Sequence, residues 1–230
     1  MSRVKILGQV KSSFIDYPGK LCTTIFLAGC NMKCGYCHNP DIVHGKGPIL
    51  QETDFFDFLD RRRKYLDGVC VSGGEPTLYH ELPKFIEDIK ARGYTIKLDT
   101  NGTNPTMLKK LIEDQLIDYV AMDMKGPLYK YSEITGIQDF NTIPILESIH
   151  LLKQSDIQHE FRTTITRELL SPDDIKELVV LLDFPKRYAL QNFKKAKNIL
   201  GNRLLTSYSL DELDKIKETI TNYVDELIIR

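Results

Sequence analysis

Short runs rich in β-branched and other apolar residues alternate along the chain with segments whose apolar residues recur at helical spacing. A repeat of roughly thirty residues per strand and helix is typical of parallel strands joined by crossover helices. Six strands are predicted, at Leu21 to Ala28, Gly68 to Ser72, Thr95 to Asp99, Tyr119 to Met124, His159 to Thr166 and Arg187 to Gln191. The pattern therefore predicts an α/β protein with a parallel sheet.

Several connecting segments begin with residues that favour helix N-termini. These signals are Thr53, Asn104 before Pro105, Ser171 before Pro172, and Ser209 with Glu212 completing a capping box. Six such units can close in part into a barrel or lie open as a doubly wound sheet, and both folds place site residues at the C-terminal ends of strands. No linker divides the chain, so we expect one domain over residues 1–230. Residues 208–230 are expected to pack as its last helix, with partner docking as the alternative.

Three cysteines, Cys30, Cys34 and Cys37, lie together in the loop that follows the first predicted strand. Thiolates so close in sequence can all reach one polynuclear centre, and a cubane iron-sulfur cluster is ordinarily held by four cysteines. Three ligands leave one iron free to bind a small molecule. The loop therefore predicts a 4Fe-4S cluster at which chemistry starts.

Other uses of these thiols are less well matched by the sequence. Structural zinc prefers four ligands in two separated pairs, and His38 is poorly placed to be the fourth. A disulfide framework is disfavoured because five cysteines is an odd number and a chain of 230 residues is long for a stapled domain. Cys22 and Cys70 lie in apolar runs and are predicted to be small buried hydrophobes. An electron carrier and a zinc-stabilised binding module remain as alternatives of other classes.

Composition and charge exclude few functions. Lys and Arg total 31 against 32 Asp and Glu, so the formal net charge of -1 gives no bias toward nucleic acid or membranes. The basic runs Arg61 to Lys64 and Lys194 to Lys197 are predicted to be solvated. No apolar run is long enough to span a membrane, and Met1 to Val10 lacks the apolar core of a signal peptide. We expect a soluble cytoplasmic protein without nucleic-acid or membrane partners.

The second predicted strand ends in two glycines and a carboxylate, Gly73, Gly74 and Glu75. Glycines at a strand end permit positive φ and let bare backbone approach a ligand, while Glu75 supplies a carboxylate for an ammonium group. A plain turn is the alternative, because the spacing of a phosphate-binding glycine motif is missing.

Charged residues also follow or lie within the later strands. Asp123 ends the fourth strand opposite Asp99, so the two acids could gather a cation or ligand hydroxyls, or Asp123 could simply pair near Lys125. Arg162 lies among apolar and β-branched residues of the fifth strand. A buried arginine needs an anionic partner, which a ligand carboxylate or a protein carboxylate can supply.

These residues carry a resemblance to a known family. The CxxxCxxC spacing, with Tyr36 before the last cysteine, and the Gly73-Gly74-Glu75 motif resemble the signatures of radical S-adenosylmethionine (SAM) enzymes. The alternating units resemble their partial (β/α)6 barrel. Four further strings resemble the glycyl-radical activating enzymes, above all those of anaerobic ribonucleoside-triphosphate reductases; they are Asp16 to Lys20, Cys37 to Pro40, Leu98 to Gly102 and Ala121 to Lys125.

The resemblance implies roles for individual residues. Cys30, Cys34 and Cys37 would ligate the 4Fe-4S cluster, whose open iron would chelate the amino and carboxylate groups of SAM. The implied cofactor contacts are Tyr36, Gly73, Gly74, Glu75 and Arg162. A monovalent cation beside the cofactor carboxylate would be framed by Asp99, Thr100 and Asp123. Asp16 and His38 would meet the peptide substrate, or else act as a turn cap or a hydrogen-bonding support.

The resemblance also implies a reaction and partners. One electron from a flavodoxin- or ferredoxin-like donor would allow reductive cleavage of SAM to methionine and a 5'-deoxyadenosyl radical. This radical would abstract hydrogen from a backbone glycine of the partner reductase, which must be held nearly in contact. Another glycyl-radical enzyme of the formate-lyase type, or a small molecule as in deazapurine biosynthesis, remains the alternative target. Only Cys70 lies downstream of the motif, so no auxiliary cluster is expected.

Overall fold

The computed structural model describes residues 4–196 and 198–230. Within them, one sheet contains strands β1 to β8 in chain order. The strands are β1 (Ile6–Ser13), β2 (Cys22–Leu27), β3 (Gly68–Gly73), β4 (Thr95–Thr100), β5 (Tyr119–Asp123), β6 (Gln158–Ile165), β7 (Arg187–Asn192) and β8 (Glu226–Ile229). β1 is antiparallel to β2, and every later pair is parallel. No pairing of β1 with β8 occurs among the described residues, so the sheet is a partial barrel that is open on one side, as predicted.

Helices connect consecutive parallel strands. They are α1 (Pro40–Val43), α2 (Glu52–Arg62), α3 (Leu82–Lys90), α4 (Pro105–Glu113), α5 (Tyr131–Thr135), α6 (Ile143–Gln154), α7 (Pro172–Leu182) and α8 (Leu210–Ile220). The predicted capping signals are confirmed at Asn104, Ser171 and Ser209, whose side chains accept hydrogen bonds from backbone N–H groups of the first turn. The start predicted at Thr53 is slightly late, because α2 begins at Glu52.

The six predicted strands are confirmed as β2 to β7, but two edge strands were not predicted. β1 is largely polar and partly exposed, and β8 has only four residues. Edge strands of this kind have only a weak pattern of apolar and polar residues, because each pairs with one neighbouring strand and packs little against the core. The expectation of a helix over residues 208–230 is therefore correct for α8 and wrong for the last residues, which pair with β7.

The two faces of the sheet differ in chemistry. The face against the helices is apolar, and Val71, Leu98 and Val120 are fully buried there. Side chains alternate along a strand, so residues such as Lys97 and Asp99 lie on the opposite, inner face. That face also carries a small apolar cluster that includes Cys22 and Cys70, both fully buried as predicted. The barrel interior thus combines buried charges with a small apolar patch.

The remaining predictions concern the surface. Arg61 and Arg62 form the last turn of α2, and Lys194 and Lys195 are exposed, whereas Lys197 lies outside the described residues. The segment Met1 to Val10, which was predicted not to be a signal peptide, begins with residues 1–3, and these three also lie outside the described residues. In the described part of the chain, every helix is too short or too polar to cross a bilayer. The cytoplasmic location stays a prediction.

Candidate active site

The C-terminal ends of the parallel strands surround a cavity of about 410 Å³. This volume lies in the range of small-molecule sites. The predicted site residues that line it are Cys30, Cys34, Tyr36, Cys37, His38, Gly73, Gly74, Asp99, Thr100 and Asp123. Parallel strands bring their ends to one edge of the sheet, so loops far apart in sequence meet here.

Backbone hydrogen bonds from two later segments hold the cysteine loop. Lys33 N–H donates to the carbonyl of Thr135 at 2.8 Å, on one side of the loop. On the other side, residues 200 and 201 donate to the carbonyls of Cys37 and Gly35 at 2.9 and 3.0 Å. A Cβ atom at position 201 would lie only 2.8 Å from the Cα atom of Gly35, so glycine is required for this approach. The positions of the three thiols are therefore set by the surrounding fold.

The thiols are protected from water to different degrees. Cys34 is buried, while Cys30 and Cys37 are partly exposed, and all are free. Burial raises the pKa of Cys30 to about 11 and also raises that of Cys34. Both groups are thus protonated at neutral pH without metal, and metal binding must release their protons. Over residues 4–196 and 198–230, no three His, Cys, Asp or Glu side chains converge on a single metal ion.

Lys125, which follows β5, is a cavity residue that the sequence analysis treated only as a neighbour of Asp123. Its side chain is 12 % exposed, and its Nζ atom lies 3.7 Å from Asp123 Oδ2. Burial alone would lower the pKa of Lys125, but the surrounding acidic groups, led by Tyr36 and Asp123, raise it well above its ordinary value. A fixed positive charge therefore stands beside the thiols. A lysine two residues after the aspartate that ends a strand is the signal that could have found it.

The two glycines after β3 allow backbone segments to pack against each other. Gly73 has φ +121°, and a Cβ atom there would lie 2.2 Å from Leu27 N. A Cβ atom at Gly74 would lie 1.8 Å from the carbonyl oxygen of Gly29, just before Cys30. Backbone hydrogen bonds join Gly74 N to Leu27 O at 2.9 Å and Glu75 N to Gly29 O at 2.8 Å. The glycines therefore fix the end of β2, and with it Cys30, while their own backbone lines the cavity.

The Glu75 side chain lies behind the glycines and is fully buried. Oε1 accepts hydrogen bonds from Thr77 N at 3.1 Å, Thr77 Oγ1 at 2.5 Å and Thr100 Oγ1 at 2.8 Å, and Oε2 accepts one from Asn101 N at 2.6 Å. Burial raises its pKa. The carboxylate thus braces the ends of β3 and β4, and its expected ion pair with a ligand ammonium stays a prediction. The parts of this motif that face the cavity are the backbones of Gly73 and Gly74.

The predicted substrate residues lie in two adjoining cavities. His38 lines the first cavity, where its ring stacks on Phe193 at 5.3 Å between centroids. Asp16 lines a second cavity of about 560 Å³, and its Oδ2 atom accepts a hydrogen bond from Thr24 at 2.7 Å. Arg162 also lines this second cavity and not the first. The cavities share Gln191, Lys194 and Arg230, so their walls are continuous.

Comparison with known proteins identifies the family. Residues 24–184 match the profile described as the radical SAM superfamily. The chain belongs to this superfamily. A relative from Methanocaldococcus jannaschii, named as a candidate glycyl-radical enzyme activating enzyme, is 35% identical over 98% of this chain and 95% of its own length. Within the superfamily, this radical SAM enzyme thus belongs with the glycyl-radical enzyme activating enzymes.

Two further comparisons agree with this placement. The pyruvate formate-lyase-activating enzyme of Listeria monocytogenes is 30% identical over 76% of this chain and 75% of the relative. Streptococcus suis SuiB bound to S-adenosylmethionine superposes with a TM-score of 0.68 at 15% identity, covering 88% of this chain and 48% of SuiB. This chain thus spans about half the length of SuiB, and that likeness shows the fold alone.

Radical SAM enzymes use a 4Fe-4S cluster and SAM, and the cavity residues fit both groups. Within the described part of the chain, all three thiols line the cavity without forming a site for a single metal ion, and a cubane cluster holds its cysteine ligands at separate irons. Tyr36 Oη is buried and has no hydrogen-bond partner among the described residues. A polar atom left unpaired at a cavity wall is costly unless a ligand or water pairs with it.

A buried charge network lies under the cavity. Arg162 Nε donates to Asp123 Oδ1 at 2.8 Å, and Arg162 Nη1 lies 3.4 Å from Asp99 Oδ2. Lys97 Nζ donates to Asp99 Oδ1. Arg162 thus finds its anionic partners within the protein, and its predicted cofactor contact stays a prediction. The alternation of Lys97 and Asp99 along β4 is the signal that could have revealed the network.

We expect the stability that Asp99 provides to fall in acid. Burial alone would raise the pKa of Asp99, but Arg162 and Lys97 lower it to about 2, against an ordinary value of 3.8. A depressed folded-state pKa stabilises the protein above the ordinary value, and this stabilisation is lost as the pH falls from about 4 toward 2. Urea unfolding should therefore show Asp99→Asn clearly less stable than wild type at pH 6, with a gap that narrows at pH 3. If wild type and Asp99→Asn differed in stability by the same amount at pH 6 and pH 3, the lowered pKa of Asp99 would be contradicted.

Proposed function

We propose that this enzyme abstracts hydrogen from a backbone glycine of a partner protein, and that the partner is an anaerobic ribonucleoside-triphosphate reductase. The observation that carries the proposal is the set of three thiols at the wall of a cavity of about 410 Å³, a volume in the range of small-molecule sites. The other two cysteines, Cys22 and Cys70, are buried on the inner face and do not line this cavity. A cluster held by three thiols keeps one iron free for a ligand.

The residues of the cavity would have distinct tasks. Cys30, Cys34 and Cys37 would hold the cluster, and the positive charge of Lys125 would offset the negative charge of the thiolates. The backbone of Gly73 and Gly74 would meet the polar end of SAM. When bound, the cluster and SAM together supply a 5'-deoxyadenosyl radical by one-electron cleavage. The buried residues of the wall, among them Cys34, Tyr36 and Thr100, would help to keep water from the reacting atoms.

The second cavity offers a path for the glycine-bearing segment. It lies between the β1–β2 loop and the β7 and β8 strands, on the open side of the barrel, and joins the first cavity through shared wall residues. Phe14 and Ile15 at its mouth are 80% and 82% exposed. A partner loop could enter here without displacing a strand, although it must first leave its own fold. Asp16, on this wall, is placed to meet such a peptide.

The choice of partner rests on the motif strings shared with reductase-activating enzymes. A formate-lyase partner is the second candidate, because the Listeria monocytogenes relative carries that name at 30% identity. Both partners require the same chemistry at a glycine Cα–H bond, so the cavity does not discriminate between them. The distinction lies in surface contacts with the partner.

We further propose a flavodoxin- or ferredoxin-like electron donor in the cytoplasm. Lys33 of the cysteine loop is exposed, as are Lys194 and Lys195 of the segment that packs on it. Positive charge near the cluster would steer an acidic donor toward it. Transfer from such a donor would be faster at low salt.

Isotope transfer is the experiment that tests the function. The protein is reconstituted anaerobically with iron and sulfide, then mixed with SAM, a strong reductant and one candidate partner whose glycines carry α-deuterium. With the reductase we expect a glycyl-radical signal in electron paramagnetic resonance, and 5'-deoxyadenosine that contains deuterium by mass spectrometry. A partner with its target glycine changed to alanine is the control and should give neither signal.

The other outcomes separate the candidates. Deuterium transfer from formate lyase and not from the reductase would favour the second candidate. If 5'-deoxyadenosine forms without deuterium from either partner, a glycine target is wrong, and a small-molecule substrate becomes the better hypothesis.

A further inference from the structure

The family resemblance implies a monovalent cation beside Asp99, Thr100 and Asp123. The charged side chains on the inner face of the sheet decide whether such an ion can bind there. Lys97 lies two residues before Asp99 on β4, so both side chains project from the same face. The Lys97 side chain is only 1% exposed. Its Nζ atom donates to Asp99 Oδ1 and lies 3.8 Å from Cys70 Sγ. An ammonium group therefore occupies the space next to this carboxylate.

The oxygens that could bind a metal cation already have partners. Asp99 Oδ2 accepts a hydrogen bond from Ser72 Oγ at 2.9 Å and lies 3.4 Å from Arg162 Nη1. On Asp123, Oδ1 accepts from Arg162 Nε at 2.8 Å, and Oδ2 lies 3.7 Å from Lys125 Nζ. Every carboxylate oxygen of the pair thus has a cationic group nearby. Thr100 Oγ1 is also engaged, because it donates to Glu75.

The cationic side chains of the network oppose a further cation. Three of them, Lys97, Lys125 and Arg162, surround the carboxylates of Asp99 and Asp123. Burial alone would lower the pKa of Lys97, but the charge of Asp99 raises it, so the ammonium form is retained at neutral pH. In a buried site, where charges are poorly screened, a metal cation added next to Asp99 would be repelled by the Lys97 ammonium and the Arg162 guanidinium.

We propose that the Lys97 ammonium takes the place of the implied monovalent cation, so that this enzyme binds SAM without that ion. The proposal rests on the proposed function only in assuming that SAM occupies the first cavity. Lys97 is a positioning residue, since it acts on the cofactor through Asp99 and the rest of the network. Because β4 places Lys97 and Asp99 on the same face of the sheet, the positive charge of Lys97 is present beside Asp99 at any salt composition.

The first test measures ion binding by the protein without cluster or SAM. Thermal unfolding of the wild-type protein is followed in potassium, sodium and choline chloride at equal ionic strength. We expect the midpoints to agree, because choline is too large for an oxygen-lined ion site and Lys97 already fills the position. A saturable rise of the midpoint in potassium or sodium relative to choline would overturn the proposal.

The second test measures SAM affinity of the cluster-loaded protein by equilibrium dialysis. Wild type should bind SAM equally in potassium and choline. Lys97→Gln should bind about tenfold more weakly in choline and recover in potassium, because an ion can then replace the missing charge. Lys84→Gln, at a 71%-exposed position on α3, is the matched control and should match wild type in both salts.

Each outcome of this second test has a defined meaning. A Lys97→Gln protein that folds and binds SAM with wild-type affinity in choline would overturn the role of Lys97. If this variant does not fold, Lys97→Arg keeps the charge and should preserve equal affinity in both salts; potassium-dependent affinity of Lys97→Arg or of wild type would contradict the proposal. None of these measurements requires hydrogen abstraction, so they remain decisive if the partner assignment is wrong.

Discussion

Replacing Cys34 with alanine should abolish both cluster binding and SAM cleavage. Cys34 is the buried central ligand of the loop, and only Cys30 and Cys37 would remain at the cavity. Two thiolates leave a cubane with two irons open to solvent and exchange, so the cluster should be lost during gel filtration. We expect less than one iron per chain by chemical analysis, loss of the broad visible absorption, and no detectable 5'-deoxyadenosine.

Cys22→Ala is the matched control for this change. Cys22 is a fully buried free thiol on the inner face, so its removal also deletes one sulfur from the protein interior. It should cost about 1 kcal/mol of stability through the small cavity that it leaves, while cluster content and SAM cleavage stay at wild-type levels. A Cys34→Ala protein that retains four irons and cleaves SAM would refute the ligand assignment.

Replacing Gly74 with alanine should damage the fold and the site together. The new Cβ atom would lie 1.8 Å from the carbonyl oxygen of Gly29, and backbone on both sides prevents a simple side-chain adjustment. The segment must move, which breaks its hydrogen bonds to Leu27 and Gly29 and displaces Cys30. We expect a loss of about 3 kcal/mol in the free energy of unfolding, measured in urea. SAM cleavage by the reconstituted protein should fall by more than tenfold, because Cys30, a proposed cluster ligand, would be moved from its position.

Gly47→Ala provides the control for the glycine itself. Gly47 has φ +130°, but a Cβ atom there would meet no atom within 4 Å. This variant should therefore lose only about 1 kcal/mol, from backbone strain, and keep full SAM cleavage. If Gly74→Ala behaves like Gly47→Ala in both assays, the close packing of β3 against the end of β2 does not control the site.

The structure also adds a role to the motif Gly73-Gly74-Glu75. Glu75 follows two glycines at a strand end, and from sequence its carboxylate is a natural partner for an ammonium group. In the fold, Oε1 accepts three hydrogen bonds from Thr77 and Thr100, and Oε2 accepts one from Asn101. The carboxylate therefore braces the strand ends that hold the glycine backbone at the cavity, and its contact with a ligand ammonium stays a prediction.

Much of the fold was predictable because its signals are local. The strands β2 to β7 are runs of β-branched and apolar residues. Three of the helices that follow these strands are capped at their first turns by Asn104, Ser171 and Ser209. The meeting of the three thiols at one cavity was predictable for the same reason, since all three lie in one loop. Edge strands β1 and β8 were missed because pairing with their one neighbouring strand, and not their own residue pattern, makes them strands.

The sequence by itself determined the order of strands β2 to β7 and of the helices that follow them, the C-terminal edge at which the cavity lies, and the three cysteines that we propose as cluster ligands. These features depend on periodicity, on capping residues and on spacing within one loop. The tertiary structure alone decided that Glu75 is buried and braces the ends of β3 and β4, that Asp16 and Arg162 line a second cavity, and that Arg162 pairs with both Asp99 and Asp123. These features arise from contacts between strands that are far apart in the chain, and such contacts exist only once the sheet has curved into a barrel and brought its strand ends together.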